Sequence, residues 1–264
     1  MRYRLPIRAI LAGSTLVFLL AHCTHKKEER KDEQIRVDPS AYADDKDSLL
    51  NSIAGNAPFN QLATSPNAVI MTGMPAHRLV TVYKLSRKGS TAGGNYRYYK
   101  SAYDEDEGEG FEHFMPGIDI LYGYNLMNIA HYDLNDEKLN FLFDHPALIK
   151  TLYYPSFVQD SLDKKPINRD YYLVSVYDED TNRDTLINRK DLRRFYHFDA
   201  TSRIKTQLVP ANYSVVRSQY DPRNDVMYLF ASQDANKNGT RDQKDPVHIF
   251  WISLKAPASA KRLY

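Results

Sequence analysis

Apolar and polar positions follow one another in short runs along most of the chain. The runs are His77–Lys84, Tyr96–Tyr103, Asn125–Leu134, Lys138–Phe143, Leu148–Phe157, Tyr171–Tyr177, Leu192–Phe198, Lys205–Val209, Tyr213–Tyr220, Val226–Ser232 and Val247–Leu254. Several alternate strictly, as in Leu173-Val174-Ser175-Val176-Tyr177 and His248-Ile249-Phe250-Trp251-Ile252. Such alternation places successive side chains on opposite faces of a strand. Asn135-Asp136 and Pro222-Arg223-Asn224-Asp225 supply turns between runs. The one helical signal is Ser40–Ile53, with Leu49, Leu50 and Ile53 on one face, ended by Asn56, Pro58, Ser65 and Pro66. The pattern predicts a mostly β body after a short N-terminal helix.

The N-terminus reads as an address. Arg2, Arg4 and Arg8 precede an uncharged run of 13 residues, Ala9–Ala21. That length suits a secretory signal peptide and is short for a membrane-spanning helix. The run ends Leu20-Ala21-His22-Cys23, and Cys23 is the single cysteine of the 264 residues. This segment resembles the lipobox of bacterial lipoproteins, with His22 where that family prefers a small residue. The resemblance implies cleavage after residue 22 and lipid on Cys23. Thr24 to Glu33 then mixes charges with no apolar residue, as a solvated tether would. Lys27-Glu28-Glu29 is similar to the short surface-export signal of some gram-negative lipoproteins. Together these imply an outer-membrane lipoprotein, facing the periplasm or the cell surface. The expected organisation is a signal peptide at 1–22, a lipidated flexible tether with a short helix at 23–66, and a β domain at 67–264.

Composition narrows the partners. The formal charge is +2, but without residues 1–22 it is −1. A near-neutral body gives no electrostatic basis for nucleic-acid binding. One cysteine excludes an internal disulfide and a multi-cysteine zinc site. The 20 tyrosines against 11 phenylalanines and one tryptophan favour strands over helices.

An internal repeat appears in the second half, near 171–210 and 225–264. Tyr172–Tyr177 precedes an acidic loop starting at Asp180, and Tyr228–Gln233 precedes one starting at Asp234, 54 residues later. Leu192–Phe198 and Pro246–Ile252 follow the two loops. A unit of this length with several strands suits a propeller blade. Tyr220–Phe230, with its Pro222–Asp225 turn, resembles the strand–turn–strand signature of TolB-like β-propellers, and Asn224 stands where glycine is usual there. Val247–Leu263 and Asn128–Leu134 are similar to the outer-strand pattern of the same family. The 188 residues from His77 hold about three and a half such units, whereas a closed propeller takes at least about four. The expectation is a small or incomplete propeller of antiparallel strands, or an open stack.

The acidic loops carry the clearest chemistry. Asp234–Asp245 reads D-x-N-x-N-G-x-x-D-x-x-D. Asp234, Asn236 and Asn238 put three side-chain oxygens on the inside of a tight loop, and Gly239 permits the turn. The Thr240 carbonyl, Asp242 and Asp245 complete an oxygen set of the kind calcium takes. Asp180–Leu192 reads D-x-N-x-D-x-x-I-N-x-x-D-L. It resembles the calcium loop of EF-hand and dockerin modules, which implies Asp180, Asn182, Asp184, the Leu186 carbonyl, Asn188 and Asp191 as ligands and Ile187 as the apolar anchor. Thr185 stands where glycine is usual, and Arg241 where the second loop would have its apolar anchor. The flanking runs read as strands, so the closer analogy is to calcium loops of integrin-type FG-GAP propellers. Lys and Arg within each loop, and Asp at position 12, predict weak calcium affinity, roughly 10⁻⁴–10⁻³ M. Asp104–Gly110 is acidic without this spacing and reads as a solvated loop.

No G-x-S-x-G, H-E-x-x-H, Walker or G-x-G-x-x-G pattern is present. His131, His197 and His248 fall within strand patterns and read as packing residues. Two functions fit. One is a non-enzymatic envelope lipoprotein with a calcium-stabilised body that binds a protein or glycan. The other is a calcium-dependent polysaccharide hydrolase or lyase, which would show a cleft with convergent carboxylates.

Overall fold

The computed structural model describes residues 34–36, 64–84, 115–123 and 126–264. These hold seventeen β-strands and no α-helix. The signal peptide, Cys23, the Ser40–Ile53 helix, the Tyr96–Tyr103 strand and the Asp104–Gly110 stretch lie outside the described residues.

Three antiparallel sheets make up the body. The N-terminal sheet orders β2 (Thr64–Met71), β3 (His77–Lys84), β5 (Leu126–Asp133) and β6 (Lys138–Phe141). The central sheet runs from β4 (Ile118–Tyr122) through β7 (Leu148–Pro155), β10 (Tyr171–Tyr177) and β12 (Arg194–Asp199) to β13 (Lys205–Gln207). The C-terminal sheet is a meander of β14 (Tyr213–Asp221), β15 (Val226–Gln233), β16 (Val247–Ser253) and β17 (Lys261–Arg262). Two small pairs complete the set: β8 (Asp160–Leu162) with β9 (Lys165–Ile167), and β1 (Ile35–Arg36) with β11 (Leu186–Ile187). None of these sheets closes on itself.

The central sheet is covered on both faces, so β7 and β10 are buried at every position. On β10, Tyr172, Val174 and Val176 enter one core and Tyr171 and Leu173 enter the other. The first core lies against the N-terminal sheet, with Leu79, Tyr83, Leu126 and Ile129 opposite. The second lies against the C-terminal sheet, with Val215, Met227, Leu229, Phe250 and Ile252 opposite. A bulge at Lys150 between β7 and β10 changes the parity of β7, since Val176 faces Ile149 while Ser175 faces Thr151. Ile149, Leu152 and Tyr154 thereby all reach the first core. In the N-terminal sheet β3 alternates in burial, as β10 of the central sheet does not.

Two strands fall within the 23–66 stretch expected to be tether. β1 pairs with β11, and its Ile35 is fully buried. β2 begins at Thr64, and its register shifts between Pro66 and Val69, where proline has no N–H for the ladder. Charged neighbours conceal β1 in the sequence, because two residues are too few to show a period.

Candidate functional site

Each acidic loop joins two paired strands. The first leaves β10 and returns as β12, and the second leaves β15 and returns as β16. Within them the bonding matches position for position. The fifth residue's N–H donates to the first carboxylate: Asp184 to Asp180 and Asn238 to Asp234, both at 3.1 Å. The sixth donates to the same carboxylate, Thr185 to Asp180 at 2.7 Å and Gly239 to Asp234 at 2.9 Å. The third side chain accepts from the fifth N–H in both, Asn182 from Asp184 and Asn236 from Asn238, at 3.0 Å. The fifth accepts from the seventh, Asp184 from Leu186 at 3.0 Å and Asn238 from Thr240 at 2.9 Å. The twelfth accepts from the ninth, Asp191 from Asn188 and Asp245 from Asp242, both at 2.8 Å.

The backbones agree as well. Position four is left-handed in both loops (Arg183 φ 60°, Lys237 φ 58°), and so is position six (Thr185 φ 68°, Gly239 φ 72°). Glycine adopts that region freely, whereas a β-branched threonine there is strained by roughly 1–2 kcal/mol. Asp180 and Asp234 hold both loops in this shape by accepting backbone donors that would otherwise be orphaned.

The loops touch each other. The Thr181 hydroxyl donates to the Gly239 carbonyl at 2.5 Å and accepts from the Leu192 N–H at 2.9 Å. A Cβ on Gly239 would stand 1.9 Å from the Thr181 carbonyl oxygen. Sequence reasoning assigned Gly239 to the turn alone; its second duty, letting the neighbouring loop approach, has no local signal.

The two loops differ as cation cages. In the second, the Asn236 and Asn238 amides converge on one oxygen of Asp242, at 3.0 and 2.8 Å. Positions three, five and nine thus meet at one point, beside an Asp234 carboxylate that keeps unused lone pairs. In the first, Asp191 is fully buried and accepts from the N–H groups of Thr181, Asn182 and Asn188. Three donors occupy most of a carboxylate's acceptor sites. Burial, with Asp180 adding to it against these hydrogen bonds, pushes the Asp191 carboxyl up to about 7. Asp180, Asn182 and Asp184 stay together at the first loop's rim, where the Asn182 amide lies 3.4 Å from Asp184. Among the described residues no three His, Cys, Asp or Glu side chains form a cation cage by themselves. Each loop therefore depends on Asn amides and the Leu186 or Thr240 carbonyl for its oxygen count. The second loop leaves more oxygen for calcium than the first, where loop N–H groups occupy Asp191, once the Asn236 and Asn238 amides turn their oxygens from the backbone to the ion.

Arginines that the sequence reading passed over fasten the loops to the sheets. Arg193 donates to the carbonyls of Val215 and Val216, and Arg194 to Ala211 and Glu179. Further along, Arg169 forks onto Asp225 at 2.7 and 3.0 Å and donates to the carbonyls of Leu254 and Pro116. Both partners of that pair are buried. Only the folded chain brings these residues together, since 56 positions separate Arg169 from Asp225.

An apolar cleft of about 400 Å³ opens between β2 and β4, walled by Val69, Met71, Ile120, Phe157 and Val158 with one carboxylate, Asp119. Glycoside cleavage generally uses two flanking carboxylates. His131 and His197 are buried in strands, and burial lowers the pKa of both, with His77 adding to the effect at His131. No protein-family model matches this chain, and no curated protein matches it.

Proposed function

We propose that this protein is a cell-envelope lipoprotein with a calcium-stabilised, β-propeller-like body that serves as a non-enzymatic binding or scaffold module. The observation that carries the reading is the set of five backbone-to-side-chain hydrogen bonds that the two acidic loops share at the same positions, in adjacent sheets. Polar hairpin turns need no common design over twelve residues, whereas two cages for the same cation do.

Asp234, Asn236, Asn238, Asp242, Asp245 and the Thr240 carbonyl would hold calcium in the second loop. Asp180, Asn182, Asp184, Asn188 and the Leu186 carbonyl would hold it in the first, with Asp191 bracing the loop from beneath. Bound calcium supplies the positive charge that relieves repulsion among the carboxylates. The chain's own residues do the rest: Asp180 and Asp234 shape the loops, and Thr181 joins them across the sheet boundary. The C-terminal sheet is a four-strand meander, as a blade is, and this supports the propeller-like part of the reading. Lipid on Cys23 would anchor the body to the outer membrane, with an envelope protein or a glycan as partner.

Thermal melting of the full chain in chelator, calcium and magnesium tests the calcium part. Calcium should raise the melting temperature and magnesium should do little, because magnesium demands octahedral geometry and holds its waters. Identical melting in chelator and calcium would reduce the loops to hairpin turns.

A further inference from the structure

A sheet meets other chains at its edges, where alternate residues turn N–H and C=O groups away from the ladder. Among the described residues the three body sheets end in β2, β6, β4, β13, β14 and β17. Most of these ends are guarded by shortness, by lysine or by a bulge. β17 has two residues, both basic. β13 has three and β6 four, and each begins with lysine. β14 is long, but its register breaks at Val216, and Arg193 donates to the carbonyls of Val215 and Val216. β2 differs. Its proline and its break in register lie in the first half, and Val69, Ile70 and Met71 then pair regularly with Val80, Leu79 and Arg78. No charge or proline interrupts residues 68–71, and Val69 is 64% and Met71 53% exposed.

The apolar cleft lies against this edge. Successive side chains of a strand point to opposite faces, so a cleft on one face touches every second residue. This cleft touches residues 68–71 of β2 and 119–121 of β4 without a gap. It therefore runs along the edges of both strands, each the last in its sheet. Just beyond Met71 the two sheets are tied, because the Gly73 N–H donates to the Pro155 carbonyl at 3.0 Å. A Cβ on Gly73 would stand 2.4 Å from the Ser156 carbonyl oxygen. Phe157 and Val158, both 61% exposed, form the rim, and Leu121 and Tyr154 are buried beneath. Asp119 is the one charged group among the described residues of the wall.

We propose that this slot takes an extended segment of a partner protein, added as a strand to the β2 edge, with apolar side chains in the cleft and one lysine or arginine at Asp119. The edge selects the form of the partner. A row of backbone donors and acceptors matches another extended backbone, which neither a glycan nor an acyl chain supplies. β4 is buried at Ile118, Ile120 and Leu121, so β2 offers the accessible edge. Residues 68–71 span roughly 13 Å, which seats a segment of about five residues. Asp119 selects the charge, because a carboxylate among apolar walls attracts a cation, and repels an acid, more strongly than it would in water. The inference names the partner class for the binding role proposed above and rests on that role alone; calcium and lipid do not enter.

The test is selection of a phage-displayed random peptide library on the full chain, in non-ionic detergent and chelator. Chelator separates it from the calcium reading, which stands or falls on its own melting experiment. Enriched peptides should alternate apolar residues and carry a lysine or arginine. In the tightest of them, made synthetically, methylating every second backbone amide should abolish binding in one register and spare it in the other, because only alternate N–H groups reach β2. The double variant Val69→Gln, Phe157→Gln should weaken binding about tenfold by removing apolar contact. Asp119→Asn should weaken it by about the same factor by removing a charge-assisted hydrogen bond. Val69 and Phe157 are exposed, so the double variant should keep the wild-type melting curve. A library that yields no binder would overturn the proposal, as would binders that are acidic or indifferent to Asp119→Asn. Binding that survives both methylation patterns, or the double substitution, would place the contact away from the β2 edge. Self-association of the chain that the double substitution abolishes would give the edge to a second copy and overturn the choice of partner.

Discussion

The Thr181 hydroxyl and the Gly239 carbonyl, 2.5 Å apart, join two acidic loops that belong to different sheets. Gly239 is at once the left-handed sixth position of its own loop and the surface on which the other loop rests. Gly239→Ala therefore meets both backbone strain, about 1–2 kcal/mol, and overpacking, typically 1–3 kcal/mol. A loss of about 3 kcal/mol should lower the melting temperature by about 6–12 °C in a body of this size. Thr185→Gly at the equivalent position should act oppositely and raise stability by about 1 kcal/mol, because it relieves the same strain. Chemical denaturation in chelator measures both; equal effects of like sign would refute the equivalence of the loops.

Calcium should act unequally on the loops. With a dissociation constant near 10⁻⁴ M, 1 mM free calcium stabilises by about 1.4 kcal/mol per site. Asp234→Asn keeps an acceptor for the Asn238 and Gly239 N–H groups and removes the charge. It should abolish the larger part of the calcium-dependent melting shift. Asp180→Asn should remove the smaller part, since loop N–H groups already occupy most of Asp191. A larger loss from Asp180→Asn would reverse the assignment of the better cage.

Arg169 and Asp225 form a buried, bidentate pair between the segment leading into β10 and the β14–β15 turn. Arg169→Met leaves Asp225 charged and buried without its partner and should cost about 3–5 kcal/mol. Asp225 has φ 53°, so Asn is its suitable neutral replacement. The double variant Arg169→Met, Asp225→Asn should cost clearly less than the single one, read from urea midpoints at constant slope. Strict additivity would show that packing rather than charge sets the cost.

Acid should weaken the fold through His131. Its Nε2 lies 2.9 Å from Nδ1 of His77, and burial, reinforced by His77, holds its pKa below the ordinary histidine value of 6.5. The unfolded chain then binds the proton first. Stability is complete above about 6.5 and declines as pH falls through the window down to the lowered folded value. His197 adds in the same direction. Melting temperature should fall between pH 7.5 and 5.5, and His131→Phe should flatten part of that slope. An unchanged slope in the variant would place the acid sensitivity elsewhere.

Acylated Cys23 should begin the mature chain, as intact mass spectrometry of the envelope fraction would show. A mature terminus at another residue, or an unmodified Cys23, would remove the anchor from the proposed function.

Alternation and turn residues located most strands, because a strand's side-chain period is local. His77–Lys84 and Tyr171–Tyr177 coincide with β3 and β10 to the residue. Strands of two or three residues such as β1, β8 and β11 show no period, and β4 has only five residues in mixed company. The spacing of Asp180, Asn182 and Asp184, and of Asp234, Asn236 and Asn238, also placed a turn between strands at each loop, since an Asx side chain bonds its own backbone two residues on. Tertiary structure alone decided the rest. That Tyr171 and Tyr172 enter different cores depends on sheets lying on both sides of β10. That Asp191 braces its loop depends on its burial, and that Gly239 must be glycine depends on Thr181 from the adjacent sheet. Such contacts join positions tens of residues apart, and no local pattern encodes a partner that only folding brings near.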